Sequence, residues 1–83
     1  MMGGWNDLTP REKAIAARVA IGMTNREIGQ ELYISTGTVK HHVSCALRKL
    51  GARNRTQLAI IASNINDPNV GGIVKGLRRS EAS

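Results

Sequence analysis

Signals for starting a helix recur at short intervals along this chain, and they limit what it can fold into. Residues 9–12 (TPRE) combine a hydroxyl N-cap, a proline at the first helical position and a glutamate at the third, which is the pattern of a capping box. Residues 24–27 (TNRE) repeat the box, residues 54–57 (NRTQ) carry its amide version, and Ser35 is a further N-cap residue. No segment alternates apolar and polar residues as a strand does. The sequence therefore predicts an all-α domain of four short helices.

The predicted helices are joined by short connections. The first ends before Gly22, the third runs over residues 36–50 and is closed by Gly51, and the fourth ends near Asn64. Residues 33–35 (YIS) join the second helix to the third, and so short a connection is typical of a helix-turn-helix.

One glycine lies inside the second predicted helix. Gly29 follows Ile28, which shares an apolar face with Leu32. A glycine in a helix interior costs about 1 kcal/mol relative to alanine. We therefore expect another helix to pass very close to Gly29.

The chain divides into three parts. Residues 1–7 are a short lead, and residues 8–65 hold the four predicted helices. Residues 66–83 contain three glycines and no helix caps, so we expect them to form a flexible basic tail.

Positive charge is concentrated in one stretch of the sequence. The net charge of +6 comes from 12 Lys+Arg against 6 Asp+Glu. Residues 1–34 are neutral, residues 35–64 carry +5 with no acidic residue, and residues 65–83 carry +1. Such an imbalance indicates a polyanionic partner, with nucleic acid as the first candidate. A solvated basic face is the plainer alternative.

Several classes of protein are disfavoured by the composition. The single cysteine, Cys45, has no partner for an internal disulfide, and no apolar run approaches the roughly 20 residues of a membrane helix. The N-terminus lacks the charged and apolar regions of a secretory signal. We therefore expect a cytoplasmic protein.

The third predicted helix has two different faces. At 100° per residue its apolar side chains form a core stripe made of Val39, Val43, Ala46, Leu47 and Leu50. The opposite arc is polar or basic and contains no acid: Gly37, Lys40, His41, Ser44, Cys45 and Arg48. A helix that enters a DNA major groove needs such a face. The first N–H groups of this helix, at residues 36–38, are also suited to a phosphate oxygen.

Four stretches of the chain resemble the LuxR/GerE/NarL-type helix-turn-helix domain. They are residues 8–12 (LTPRE), 22–28 (GMTNREI), 34–43 (ISTGTVKHHV) and 48–57 (RKLGARNRTQ). The resemblance runs in register and without gaps over about residues 8–63. It implies a four-helix, tetrahelical helix-turn-helix domain of a bacterial transcription regulator that binds double-stranded DNA specifically, with the third helix in the major groove and as a dimer on DNA.

The resemblance also implies roles for individual residues. The base-reading positions fall on Lys40, His41 and Ser44. The phosphate-contacting positions fall on Thr24, Asn25, Thr36, Thr38, Arg48 and Lys49. Related domains often dimerise through the fourth helix. In this sequence one apolar stripe of that helix is assigned to the core: Leu58, Ile61, Ala62 and Ile65. The opposite side, with Thr56, Ile60 and Asn64, is the candidate dimer contact.

The sequence departs from the family pattern in three ways. Ala16 replaces a usual leucine and Arg18 stands where an apolar residue is usual, so we expect the first helix to pack lightly. Arg18 is then expected to extend to solvent or to contact a partner. Relatives usually carry a sensing domain before this module, whereas seven residues precede it here. A stand-alone domain is expected, although an isolated fragment of a larger regulator would look much the same. The expected location is the cytoplasm, in association with the nucleoid.

The residues give little support to metal binding or catalysis, and protein interaction is the alternative to DNA binding. The nearest approach to a metal site is His41, His42 and Cys45, but the chain has no further His or Cys to complete one, and we predict no metal and no cofactor. The sequence has no phosphate-binding glycine loop and no Ser-His-Asp set, so no enzymatic activity is expected. The alternative function is that of a sensorless interaction protein, which contacts a full-length regulator or RNA polymerase through Trp5, Met23 and the tail.

Overall fold

The computed structural model describes residues 4–65, and its regular elements in that range are all helical. A short 3₁₀ turn at Trp5–Asp7 precedes α1 (Pro10–Ala20), α2 (Asn25–Leu32), α3 (Thr36–Leu50) and α4 (Arg55–Ser63). The prediction of an all-α, four-helix domain is confirmed. The 3₁₀ turn was not predicted, and the tail expected at residues 66–83 lies outside the described residues.

The first two helices begin with the capping boxes that the sequence predicts. Thr9 Oγ1 accepts a hydrogen bond from the N–H of Glu12 at 3.1 Å, and the carboxylate of Glu12 accepts one from the N–H of Thr9 at 2.8 Å. Thr24 and Glu27 form the same reciprocal pair at the start of α2. The bonds from Thr24 also hold the pKa of Glu27 below its usual value. Both glutamates thus satisfy N–H groups that the helical ladder leaves without partners.

The start of α4 differs from the predicted box. Asn54 Oδ1 accepts from the N–H of Gln57 at 2.9 Å, as expected for an N-cap. The side chain of Gln57, however, accepts from the N–H of Arg53 at 2.6 Å, one residue before the N-cap.

The core is built around α1. Ile15, Ala16 and Val19 of this helix are at most 4% exposed. They pack in one cluster with buried residues from the other three helices, namely Ile28, Val39, Val43, Ala46, Leu58 and Ala62. The expectation that α1 packs lightly is therefore wrong, because a small side chain at residue 16 lets its neighbours approach closely. Arg18 finds its partners within the domain, since its guanidinium donates to Glu31 at 2.7 Å and to the carbonyl of Ala14 at 2.9 Å.

The two predicted apolar stripes are buried unequally. On α3, Val39, Val43 and Ala46 are buried, and Leu47 and Leu50 are half-buried against the core. On α4, the buried pair is Leu58 and Ala62, while Ile61 and Ile65 are half-buried and lie outside the core cluster. The face of α4 that covers the core is therefore narrower than the sequence predicts, and part of the apolar surface of Ile61 and Ile65 is exposed to solvent.

Gly29 is required by the turn that follows its own helix. A Cβ atom at this position would lie 2.6 Å from the carbonyl oxygen of Ile34, so the expectation that another helix passes close is wrong. The chain reverses there because Tyr33 adopts a left-handed conformation, with φ of 60°, and the N–H of Ile34 donates to the carbonyl of Gly29 at 2.9 Å. The helix-turn-helix angle thus depends on a residue without a side chain.

A buried ion pair joins the start of α1 to the end of α3. Lys49 Nζ lies 2.8 Å from Glu12 Oε1, and the side chain of Glu12 is 5% exposed. Burial by itself raises the pKa of Glu12, but the hydrogen bond and the charge of Lys49, together with the bonds from Thr9, outweigh it and lower the pKa below its usual value of 4.5. Glu12 is therefore an ionised group that holds two helices together.

Gly29→Ala is expected to reduce the free energy of unfolding by about 1–3 kcal/mol, because its Cβ has to displace backbone rather than a flexible side chain. Gly37→Ala is the matched control, since the nearest atom to its Cβ is Ser35 Oγ at 3.9 Å. We expect that substitution to stabilise the helix by about 0.5–1 kcal/mol. Urea denaturation measures both, and a change of the same sign in the two variants would contradict the proposed close approach.

The Glu12 pair predicts pH-dependent stability. Because the folded pKa lies below 4.5, the ionised carboxylate stabilises the fold above that pH and loses its contribution as the pH falls through the folded pKa. Glu12→Gln is expected to cost about 1–3 kcal/mol at neutral pH, with the difference from the unaltered protein shrinking in acid. Glu31→Gln is the control, since Glu31 forms an exposed pair worth at most about 1 kcal/mol. A Glu12→Gln deficit that is independent of pH would rule out this account.

Candidate nucleic-acid interface

The predicted reading face of α3 lies on the outside of the domain. Lys40, His41 and Ser44 are all exposed, and they lie opposite the buried Val39 and Val43. Side chains at 100° intervals along a helix cannot all face one way, so burial of the apolar stripe turns these three outward. The structure brings the predicted base-reading residues together on one accessible surface.

The start of α3 presents fewer free N–H groups than the sequence suggests. Ser35 Oγ accepts from the N–H of Thr38 at 3.0 Å and donates to Thr38 Oγ1 at 2.9 Å. The N–H of Thr38 is therefore occupied by the N-cap. The N–H groups of Thr36 and Gly37 precede the helical ladder and point out of the helix end. All four residues are exposed.

A row of contacts runs along the exposed side of α3. His41 Nε2 lies 3.7 Å from the sulfur of Cys45, and Arg48 Nη2 donates to the same sulfur at 3.8 Å. The rings of His41 and His42 have centroids 5.9 Å apart. Within residues 4–65 no group of three or more His, Cys, Asp or Glu side chains is arranged to hold a metal ion. The two contacts to the Cys45 sulfur orient His41 and Arg48 on the surface of the helix.

The exposed cations of α3 form no ion pair in the described part of the chain. Its two ion pairs join Arg18 to Glu31 and Lys49 to Glu12. Lys40 and Arg48 belong to neither pair. An uncompensated positive surface of this kind attracts a polyanion.

Lys49 is held at the edge of this surface. Its ammonium group is paired with Glu12, and its side chain is 33% exposed. Arg48, the neighbouring residue, is exposed. Of the two predicted phosphate contacts at the end of α3, Arg48 therefore has the more accessible charge.

The predicted phosphate contacts before α2 lie beside an arginine that the sequence analysis did not single out. Arg55 Nη1 donates to Asn25 Oδ1 at 2.5 Å, and Arg55 Nη2 donates to the carbonyl of Met23 at 2.6 Å. The three residues line an open depression of about 360 Å³ together with Val19, Gly22 and Thr24. Thr24 is exposed and caps α2, whereas Asn25 is half-buried. No sequence spacing pairs residues 25 and 55, and the signal that could have found Arg55 is its place in the acid-free stretch of residues 35–64.

The predicted dimer contact is an exposed strip on α4. Thr56, Ile60 and Asn64 are all exposed, and Ile60 is 55% exposed. The half-buried Ile61 lies next to them. Apart from Tyr33, Ile60 is the large apolar side chain most exposed to solvent within residues 4–65.

A four-helix domain with a helix-turn-helix and an acid-free outer face on its third helix belongs to the class of DNA-binding modules. The family model described as "Bacterial regulatory proteins, luxR family" (GerE) matches residues 6–62. This chain is a member of that family, as its sequence indicated. The family consists of DNA-binding domains of transcription regulators rather than of enzymes.

Known relatives of the chain are transcription regulators. It is 52% identical over 54 residues to the transcriptional regulatory protein LnrK of Bacillus subtilis (strain 168), a match that covers 65% of this chain and 24% of LnrK. It is 48% identical over 56 residues to the two-component response regulator PprB of Pseudomonas aeruginosa, covering 68% of this chain and 20% of PprB. The matched part is thus about a quarter or less of the length of these regulators.

Two further observations complete the comparison. No solved structure matches this chain. No helix within residues 4–65 is long and apolar enough to cross a membrane.

Proposed function

We propose that the protein binds double-stranded DNA sequence-specifically as part of transcription regulation, with α3 in the major groove. The observation that carries this proposal is the outer face of α3, where Lys40, His41 and Ser44 are exposed together on a helix that contains no acidic residue. A cytoplasmic location at the nucleoid accords with this role.

The three proposed base-reading side chains have complementary chemistry. Lys40 is a donor suited to the O6 and N7 acceptors of guanine. Ser44 both donates and accepts, and His41 does so in its neutral form. Lys40 and His41 lie in the N-terminal half of α3 and Ser44 one residue past its middle, and the N-terminal part of a recognition helix is the part that contacts base edges.

Two groups of residues are proposed to contact the DNA backbone. One lies at the helix starts, and consists of Thr24, Asn25, Thr36 and Thr38. The other lies at the end of α3, and consists of Arg48 and Lys49. Hydrogen bonds to phosphate fix the orientation of a protein on the duplex and carry no sequence information themselves. With the reading face between them, the two groups would align α3 along the groove.

The protein is further proposed to bind as a dimer, with Thr56, Ile60 and Asn64 at the two-fold axis. The exposed apolar side chain of Ile60 supports this assignment. One strip on a short helix buries much less than the roughly 1,200 Å² of a stable interface, so we expect dimerisation to depend on DNA. Two half-sites about 34–36 Å apart would match a two-fold dimer.

Contact with a protein partner, such as a full-length regulator or RNA polymerase, is a second candidate. Tyr33 favours it, because this aromatic side chain is 94% exposed at the tip of the helix-turn-helix. Trp5 and Met23, in contrast, pack against the core, so the described structure does not present them as adhesive groups. The two functions are compatible, since Tyr33 precedes α3 and is not one of the proposed base-reading residues.

Substitutions on α3 should separate base reading from backbone binding. With a duplex selected from a random pool, we expect Lys40→Ala to cost about 1–3 kcal/mol and to relax preference at one base pair. Arg48→Ala should weaken all sequences alike and reduce the slope of log K against log salt by about 0.9. Arg11→Ala, which removes an exposed cation from α1, is the control. Unchanged sequence preference in Lys40→Ala would disprove the proposed reading face.

Ile60→Glu tests the dimer contact. The charge would be buried between two copies of α4, so we expect affinity for a duplex with two half-sites to fall by about tenfold or more, with binding to a single half-site unchanged. Ile60→Val keeps the apolar contact and should retain most of the affinity. Equal loss on both duplexes in electrophoretic titrations would place Ile60 outside any dimer contact.

A further inference from the structure

Arg55 connects α4 to the segment that precedes α2. Its guanidinium donates to Asn25 Oδ1 at 2.5 Å and to the carbonyl of Met23 at 2.6 Å. Neither ion pair in the described part of the chain includes Arg55, so its charge meets neutral acceptors there. Because the bonded residues are 30 and 32 positions apart in sequence, the two bonds fix one end of α4 against the α1–α2 loop.

The bond from Arg55 also determines how the Asn25 amide is turned. A guanidinium group has donors and no acceptor, so the amide atom that faces it has to be the oxygen. The amide is planar, and its NH₂ group is therefore directed away from Arg55. Within residues 4–65 no atom accepts a hydrogen bond from that NH₂. Amide donors of this kind are among the groups that bind phosphate oxygens of DNA.

On the basis of the DNA-binding function proposed above, we propose that Arg55 is a positioning residue for the DNA backbone contact of Asn25. Arg55 holds the amide with its oxygen turned inward and its NH₂ turned outward as a phosphate donor. The adjoining open depression, lined by Thr24, Asn25 and Arg55, leaves room for a phosphate group beside that donor. Arg55 thereby keeps the backbone contact before α2 in a fixed relation to the reading face of α3.

Asn25→Asp separates this role from a structural one. An aspartate can accept the bond from Arg55 Nη1 as a charge-assisted bond while the carbonyl of Met23 keeps the bond from Nη2, so stability should be equal or higher. It offers no donor to phosphate and adds a negative charge, so affinity for the selected duplex should fall by about tenfold or more. If Asn25 served the fold alone, affinity would follow stability and would not fall.

A double-mutant cycle tests whether Arg55 acts through Asn25. Arg55→Lys retains the charge but not the two-bond fork. We expect Arg55→Lys and Asn25→Ala each to weaken binding by about fivefold to tenfold, and the double variant to be weakened by much less than the product of the two effects. Arg53→Lys is the matched control, since Arg53 is an exposed arginine in the loop just before α4 and its effect should multiply with that of Asn25→Ala. Denaturation of each variant confirms that it is folded.

Each contrary outcome has a distinct meaning. Multiplicative effects of Arg55→Lys and Asn25→Ala would overturn the positioning role. A fall of about 0.9 in the salt slope for Arg55→Gln, unaffected by Asn25→Ala, would show that Arg55 contacts a phosphate directly and would likewise overturn it. Failure of the unaltered protein to bind any duplex would overturn the proposed function itself, which this inference requires.

Discussion

The carboxylate of Glu12 performs two tasks on which the rest of the domain depends. It accepts the N–H of Thr9 at the start of α1 and the ammonium of Lys49 at the end of α3. A carboxylate that is 5% exposed is costly to bury without partners, and these bonds keep it ionised. Because α1 forms the centre of the core, anchoring α3 to the start of α1 fixes the direction of the reading face. Lys49 is thus connected both to the fold and to the proposed DNA surface.

A second long-range contact also joins the fold to the proposed DNA interface. Arg55 joins the start of α4 to Asn25 and Met23, which lie just before and at the start of α2. The left-handed Tyr33 and the close approach at Gly29 set the angle between α2 and α3. These contacts position the two helices of the helix-turn-helix. Of the cations on the proposed DNA face, Lys49 is paired with Glu12, whereas Lys40 and Arg48 belong to neither ion pair of the described residues and keep their charge available.

The features that sequence predicted well are those determined within one helix. The capping boxes at Thr9 and Thr24, the end of α3 at Gly51 and the buried stripe containing Val39 and Val43 each involve residues a few positions apart. Their geometry follows from the helical repeat. Apart from the box at Asn54, where Gln57 accepts from Arg53, the expectations that were wrong concern contacts between elements. The sequence places an apolar stripe on α4, but whether Ile61 faces the core depends on how α4 is rotated against α1.

The sequence by itself determined the four helices, the family, and the concentration of positive charge in residues 35–64. It did so because caps, helical periodicity and composition are local properties of the chain. Only the tertiary structure decided that Lys49 pairs with Glu12. The same holds for the approach of Gly29 to the carbonyl of Ile34 and for the hydrogen bond from Arg55 to Asn25. The long-range pairs join residues 30 or more positions apart, and the close approach at Gly29 arises where the chain reverses at Tyr33. Their distances are set by how helices pack and turn, which no spacing in the sequence specifies.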